Sequence, residues 1–255
     1  MKTLKHHAKR IVENFYLVLI LIFLYAPIVT MMVLSFNSSK SRTQWGGFTL
    51  QWYTQMFDSA TIMDALVNTL LIAFVSALIA TIIGTAASIA INSMKPLPRT
   101  IIMGITNIPM LNADIVTGIS LMLAFIAFGI SLGFQTILIA HITFNIPYVI
   151  LSVMPKLKQT NKSTYEAAMD LGANPFQTFQ KVVLKLSMPG VINGIVMVFL
   201  MAISSFVIPK LLGGGQFVLI GNLIESQFLS VGDWNFGSAI SLILANASFF
   251  ASSAC

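Results

Sequence analysis

Residues Glu166 to Gly190 read EAAMDLGANPFQTFQKVVLKLSMPG, and most of them lie between two long apolar runs, 134–154 and 188–211. Ser163 and Glu166 have the spacing of a capping box, which predicts a helix from Thr164 with Ser163 as its cap. Glu166 and Asp170 are four apart and share a helix face, while Ala167 and Ala168 are small enough to admit another surface. Gly172 suits a helix terminus. Asn174 and Pro175 then suit a second start, with Asn174 as cap and Pro175 in the first turn. Phe176, Phe179, Val182, Val183 and Leu186 follow at helical spacing as an apolar stripe. The segment reads as helix, sharp turn, helix. On residues alone it is either a part that grips a partner or an amphipathic loop lying on lipid.

The rest of the chain requires a lipid solvent. Hydrophobic residues make up 56% and charged residues 9%, with a mean hydropathy of +0.87. A soluble domain carries about a quarter charged residues. Apolar runs of the roughly twenty residues that a bilayer demands recur at about 11–35, 65–91, 101–128, 134–154, 188–211 and 236–255. Backbone inside a bilayer must satisfy its own hydrogen bonds, and runs this long and continuous do so as helices. The expected fold is all-α: a polytopic membrane protein of about six transmembrane helices in a single domain, 1–255. The first run has a basic start, but its apolar core exceeds a signal peptide's roughly 7–15 residues, so a retained helix is expected. No Lys or Arg follows Lys210, so a truncated last helix is expected.

Charge sets the orientation. Of the 14 Lys and Arg, Lys2, Lys5, Lys9, Arg10, Lys95, Arg99, Lys156, Lys158, Lys162, Lys181 and Lys185 fall in the N-terminal tail and alternate loops. Lys40, Arg42 and Lys210 fall on or near the other side. The positive-inside rule places the first group, and the N-terminus, in the cytoplasm of a multi-pass cell-membrane protein. Topology thereby accounts for the net charge of +6, and no nucleic-acid partner is expected from charges spread over separate loops. In the outer segment 36–64, Trp45, Phe48, Trp52 and Tyr53 read as an interfacial aromatic belt, with contact to an outer protein as the alternative.

Asp114 is the one acid deep in a span. A charge there costs roughly 2.5–3.5 kcal/mol on insertion scales, so it should face a bundle interior or a wet cavity, where Pro109 can open the helix. It either lines a path for a cationic solute or bonds to a neighbouring helix, to His141 or Asn145. A lone mid-span His141 is expected to be a packing donor, and no metal site is expected.

Glu166-Ala167-Ala168, then Gly172, Val182 and Leu184 resemble the coupling loop of ABC-importer inner-membrane permeases of the binding-protein-dependent transport family. Tyr25-Ala-Pro-Ile, Ser35-Phe-Asn-Ser-Ser, Gly47-Phe-Thr, Trp52-Tyr, Asp114-Ile-Val, His141-Ile-Thr-Phe-Asn-Ile-Pro, Leu211-Leu-Gly-Gly-Gly and Asp233-Trp-Asn-Phe-Gly-Ser-Ala resemble the spermidine/putrescine type. The resemblance covers nearly the whole chain. It implies a permease subunit that forms half of a polyamine path and couples to a cytoplasmic ATPase dimer through Glu166, Ala167, Ala168, Asp170 and Gly172. It further implies a second permease subunit, taken as a different chain, and an extracytoplasmic substrate-binding protein. One departure stands out: the family pattern ends Leu-Pro, whereas Lys185 follows Leu184 here. With a backbone N–H restored, the second helix is expected to run on into Leu186.

The alternative class is a stand-alone secondary transporter or channel for a small cation. It would need a relay of intramembrane charges, for which Asp114 alone is thin. No enzyme and no cofactor are expected: there is no phosphate-binding Gly-x-x-x-x-Gly-Lys loop, no zinc helix and no paired intramembrane carboxylates. ATP would be hydrolysed on a partner chain.

Overall fold

The computed structural model describes the backbone at residues 2–41, 43–159 and 162–253. It is helical: α1 (Lys2–Ser35), α2 (Gln51–Asp58), α3 (Ala60–Ser93), α4 (Pro96–Leu111), α5 (Asp114–Ala127), α6 (Phe134–Gln159), α7 (Lys162–Asp170), α8 (Pro175–Thr178), α9 (Leu184–Ser204), α10 (Val207–Leu212), α11 (Ile220–Ser226) and α12 (Trp234–Ser253). A π turn, Phe179–Val183, joins α8 to α9, and another, Gln227–Val231, follows α11. Among the described residues the β pairing is one isolated bridge, Asn37 to Phe48.

Asn14–Ser35, Ala60–Ser93, Phe134–Gln159 and Gln180–Ser204 are each long and apolar enough to cross a membrane. The pair α4 and α5, bent by 100° at a short break, makes a fifth if it counts as one span. The last expected apolar run, 236–255, falls on α12 as far as Ser253, and α12 is not among these membrane-length apolar helices. Two other expected runs do not continue as single helices. The run 101–128 breaks at Asn112 and Ala113, whose ψ angles of 148° and 137° are extended. Pro109, one turn earlier, has no N–H for the ladder. The run 188–211 breaks at Ser205, four residues before Pro209, the carbonyl that a proline ring cannot tolerate in a helix.

Contacts divide the chain into two compact units, Met1–Ala60 with Ile224–Asn246, and Thr61–Leu223 with Ala247–Cys255. In the first unit the organising residue is Asn37. Its Nδ2 donates to the carbonyls of Gln44 at 2.9 Å and Ser41 at 3.3 Å, and its Oδ1 accepts from the N–H of Gly46 at 2.8 Å and Ser39 at 3.2 Å. Its own carbonyl accepts from Trp52 Nε1 at 2.8 Å. Asn235 Nδ2 donates to the carbonyl of Ser39, so two motifs far apart in the chain meet here. Trp52 is 3% exposed and sits against Phe236, ring centroids 6.4 Å apart. It is therefore an interior anchor, not part of an aromatic belt, whereas Trp45 and Phe48 are exposed. From Asn14 to Thr30 every side chain of α1 is exposed, a helix suited to lipid or to a partner.

In the second unit α6 is central. It contributes Ile137, Ala140 and Phe144 to one cluster, with Ile72, Phe125, Ile208, Leu212 and Leu219, and Val149, Val153 and Leu157 to another, with Ala77 and Val198. Two glycines let neighbours approach. A Cβ at Gly84 of α3 would lie 2.7 Å from Val149 Cβ, and one at Gly190 of α9 would lie 2.9 Å from the Ser152 carbonyl oxygen. Ser152 Oγ donates to the Gly190 carbonyl at 2.9 Å. Gly190-x-x-x-Gly194 is the small-residue spacing by which helices in lipid, lacking a hydrophobic drive between them, gain close packing.

Candidate functional site

Two places in the second unit carry the residues singled out above. The first is the elbow α7–α8. The first helix of the elbow, α7, is Lys162–Asp170, two residues longer at its start than the predicted helix from Thr164. Its end is a Schellman motif: Gly172 N–H donates to the Met169 carbonyl at 2.9 Å and Ala173 N–H to the Ala168 carbonyl at 3.2 Å. Gly172 takes φ +86°, a left-handed conformation that a side chain resists. A capping box stands at the start of α8. Gln177 N–H donates to Asn174 Oδ1 at 2.8 Å, and Asn174 N–H donates to Gln177 Oε1 at 3.2 Å, with Pro175 at the first helical position. A sharp turn thus has both flanking helix ends locked by hydrogen bonds.

From Pro175 the chain stays helical through Lys185 to Ser204, as the N–H at Lys185 allows. Thr178 is buried and Val183 packs on the Val149 cluster; they are five apart, the step of one π turn. Leu186 is left exposed, and the inward positions after the π turn are Ser187, Gly190 and Gly194. The side chains of Phe176 and Phe179 lie outside the described residues.

Glu166, Ala167, Asp170 and Gly172 are exposed and Ala168 is half-buried. Asp170 stands in the last turn of α7, the end where the helix dipole disfavours an acid. Leu171 beside it is 89% exposed. The reading of periodicity passed over Leu171; its signal was an apolar residue immediately before the terminating glycine. An acid and an aliphatic side chain, both placed against their intrinsic preference on a rigid corner, form a surface that a cleft with a cationic rim and an apolar floor would fit.

The second place is a cavity of about 160 Å³ where α5, α6 and the α9–α10 break meet, lined by Asp114, His141, Asn145, Tyr148, Ser205 and Phe206 among others. Asp114 is exposed at the first turn of α5, where the dipole favours an acid. His141, Asn145 and Tyr148 follow at steps of four and three on α6 and present one polar stripe. His141 Nδ1 is 2.9 Å from the Ile137 carbonyl of its own helix. His141 Nε2 and Asn145 Nδ2 are buried and without a partner, so neither of them bonds to Asp114 here. Asn222 Nδ2 donates at 2.9 Å to the Phe206 carbonyl, which also accepts the Lys210 N–H at the start of α10.

With both breaks and the elbow placed, the architecture can be compared with known proteins. The profile of the binding-protein-dependent transport system inner membrane component matches residues 80–254. The chain belongs to this family.

Among relatives of the permease, the spermidine/putrescine transport system permease protein PotC of Escherichia coli K12 is 34% identical over 86% of this chain and 83% of its own length. The putrescine transport system permease protein PotI of the same strain is 33% identical over 80% of this chain and 75% of its own. In fold the permease matches a chain in the crystal structure of a bacterial alginate ABC transporter bound to its pentasaccharide-loaded periplasmic protein. The TM-score is 0.72 at 15% identity, covering 97% of this chain and 92% of that one. The permease is thus a multi-pass inner-membrane subunit of the ABC-importer kind, which favours that reading over a stand-alone channel or secondary transporter.

Proposed function

We propose that the permease forms half of an inward path for polyamines and is driven by a cytoplasmic ATPase dimer that docks on the α7–α8 elbow. The N-terminus and the elbow face the cytoplasm. A second permease subunit, a different chain, completes the path, and an extracytoplasmic binding protein delivers the solute. ATP is hydrolysed on the partner. Closure of the ATPases presses on Glu166, Ala167, Ala168, Asp170 and Gly172, and a rigid corner passes that displacement into α9, which is continuous with α8. Bistable packed helices convert such a push into a switch between outward- and inward-open states.

The observation that carries this reading is the corner itself: exposed acids and Leu171 on a helix whose end, and whose successor's start, are both fixed by hydrogen bonds. The polyamine assignment is supported by the relatives' names and by Asp114, whose carboxylate at the cavity offsets hydration that an ammonium group leaves behind.

The test is charge reversal. In the reconstituted complex, Glu166→Lys is expected to abolish stimulation of ATPase by the loaded binding protein while the complex still assembles. Full stimulation in that variant would remove the elbow from the coupling route.

A further inference from the structure

Two exposed faces of the second unit differ in chemistry. On α3 the exposed side chains Val67, Leu71, Phe74, Leu78 and Ile82 follow at steps of three and four, all of them apolar. Such a stripe suits hydrocarbon. The face that carries the cavity does not. On α9, Asn193 and Ser204 are exposed about three turns apart and share a side of the helix, with the exposed Met197 between them. Asn193 stands near the middle of the membrane-length helix Gln180–Ser204. Ser204 lines the cavity together with Asp114, which joins this side of α9 to the α4–α5 break.

The break itself lies at membrane depth. Lys95 precedes the first turn of α4 and marks its headgroup end. From Lys95 to Asn112 a helix rises roughly 25 Å, short of the roughly 30 Å of a hydrocarbon core. Leu111, Asn112, Ala113 and Asp114 are all exposed there. Helix ends leave backbone N–H and C=O groups unpaired, and non-helical backbone at this depth persists only against protein or a water-filled space. A carboxylate facing lipid is costlier still. The chain by itself leaves these groups uncovered, and lipid tails offer them no hydrogen bond. Water offers bonds, but water at this depth needs a second wall.

We propose that the second permease subunit closes over this face, from the α4–α5 break across Ser204 to Asn193, and that the α3 stripe is left to lipid. This rests on the reading that a second permease subunit completes the path, and it names where on this chain that subunit sits. The partner's polar groups, and the water held between the two chains, complete the bonding of the break, Asp114 and Asn193. Helices in lipid associate through such polar contacts, because the tails are as apolar as leucine and supply no hydrophobic drive. Asn193 then carries the polar track from the cavity toward the elbow end of α9.

The experiment is site-specific photocrosslinking of the assembled, tagged complex, with p-benzoylphenylalanine placed at Leu111, Met197 or Phe74. All three side chains are large, apolar and exposed in the chain by itself. At Leu111 and Met197, irradiation is expected to shift this chain's band by the mass of the second permease subunit, with the partner identified by mass spectrometry. At Phe74 that shift should be lost and the adducts should be lipid. Two positions on separate helices keep the test decisive where one variant fails to assemble. Partner adducts at Phe74, alone or equal to those at the other two positions, would overturn the proposal, as would lipid adducts at all three. An adduct between two copies of this chain through Leu111 or Met197 would support the surface and overturn the reading of the second subunit as a different chain. A transport-competent complex without a second permease subunit would refute the underlying reading; a second subunit that is present but crosslinks only through Phe74 would refute this surface alone.

Discussion

Asn37 spends both ends of its amide on the loop that follows α1, and its backbone carbonyl holds Trp52. Asn37→Ala is expected to cost about 2 kcal/mol, because several of those bonds lie in a part-buried loop where water cannot fully replace them. The fall shows as a lower melting temperature of the purified complex and faster protease cutting within 38–49. Gly172 is a second position where one residue type fits. Its φ of +86° makes Gly172→Ala strained by roughly 1–2 kcal/mol, and Gly172→Asn should be milder, since asparagine visits that region more readily. A Cβ there would meet nothing within 4 Å, so the effect is backbone strain alone. It is expected to lower substrate-stimulated ATPase more than assembly. Unchanged stimulation in Gly172→Ala would show that the corner need not be stiff. Gly172 as a terminator and Asn174 as a cap were both legible from residue type. The Asn174-x-x-Gln177 box has the same pattern as Ser163-x-x-Glu166, but the reading took Asn174 only as a cap and passed over Gln177 as its reciprocal partner.

At the scale of elements, α6 and α9 pack closely, and the two glycines of α9 contribute unequally. A Cβ on Gly190 would press on backbone at 2.9 Å, while one on Gly194 would rest 3.5 Å from the Ser152 side chain, an ordinary contact. Gly190→Ala is therefore expected to destabilise by about 1–3 kcal/mol, the usual cost of overpacking, and Gly194→Ala to be close to neutral. Thermal melts of the two variants in the same detergent compare them directly; equal melting would mean that α9 moves aside freely. The π turn before α9 belongs to this scale as well. It turns the inward stripe by one residue, so Leu186, aligned by α-helical periodicity with Val182 and Val183, ends outside. Periodicity assumes one step size along a helix and fails where the step changes.

For the whole molecule, eleven of the fourteen cationic side chains lie in the tail and loops on the elbow's side of the expected topology. In a Cys255→Ser background, a membrane-impermeant maleimide applied to spheroplasts should label Trp45→Cys and spare Leu171→Cys, and inverted vesicles should reverse the pattern. Both positions are exposed in the chain by itself, and expression without the ATPase keeps Leu171 uncovered. Labelling of Leu171→Cys from outside would invert the orientation on which the coupling reading depends.

Hydropathy was enough for the bilayer, the all-helical fold and the approximate extent of the unbroken apolar runs. Each of these follows from local composition, because lipid demands about twenty apolar residues wherever a helix crosses. The helix breaks at Asn112 and Ser205 and the cavity beside them were not legible in this way. Pro109 announced that one helix could open, whereas Pro209 was not read that way; Ile208 and Leu212 of α10 pack into the cluster of Ile137, Ala140 and Phe144 beside the second break. Asp114, His141 and Ser205 come from separate stretches of chain, and no spacing rule brings them together. Their meeting at one cavity follows from long-range packing, which no local pattern encodes.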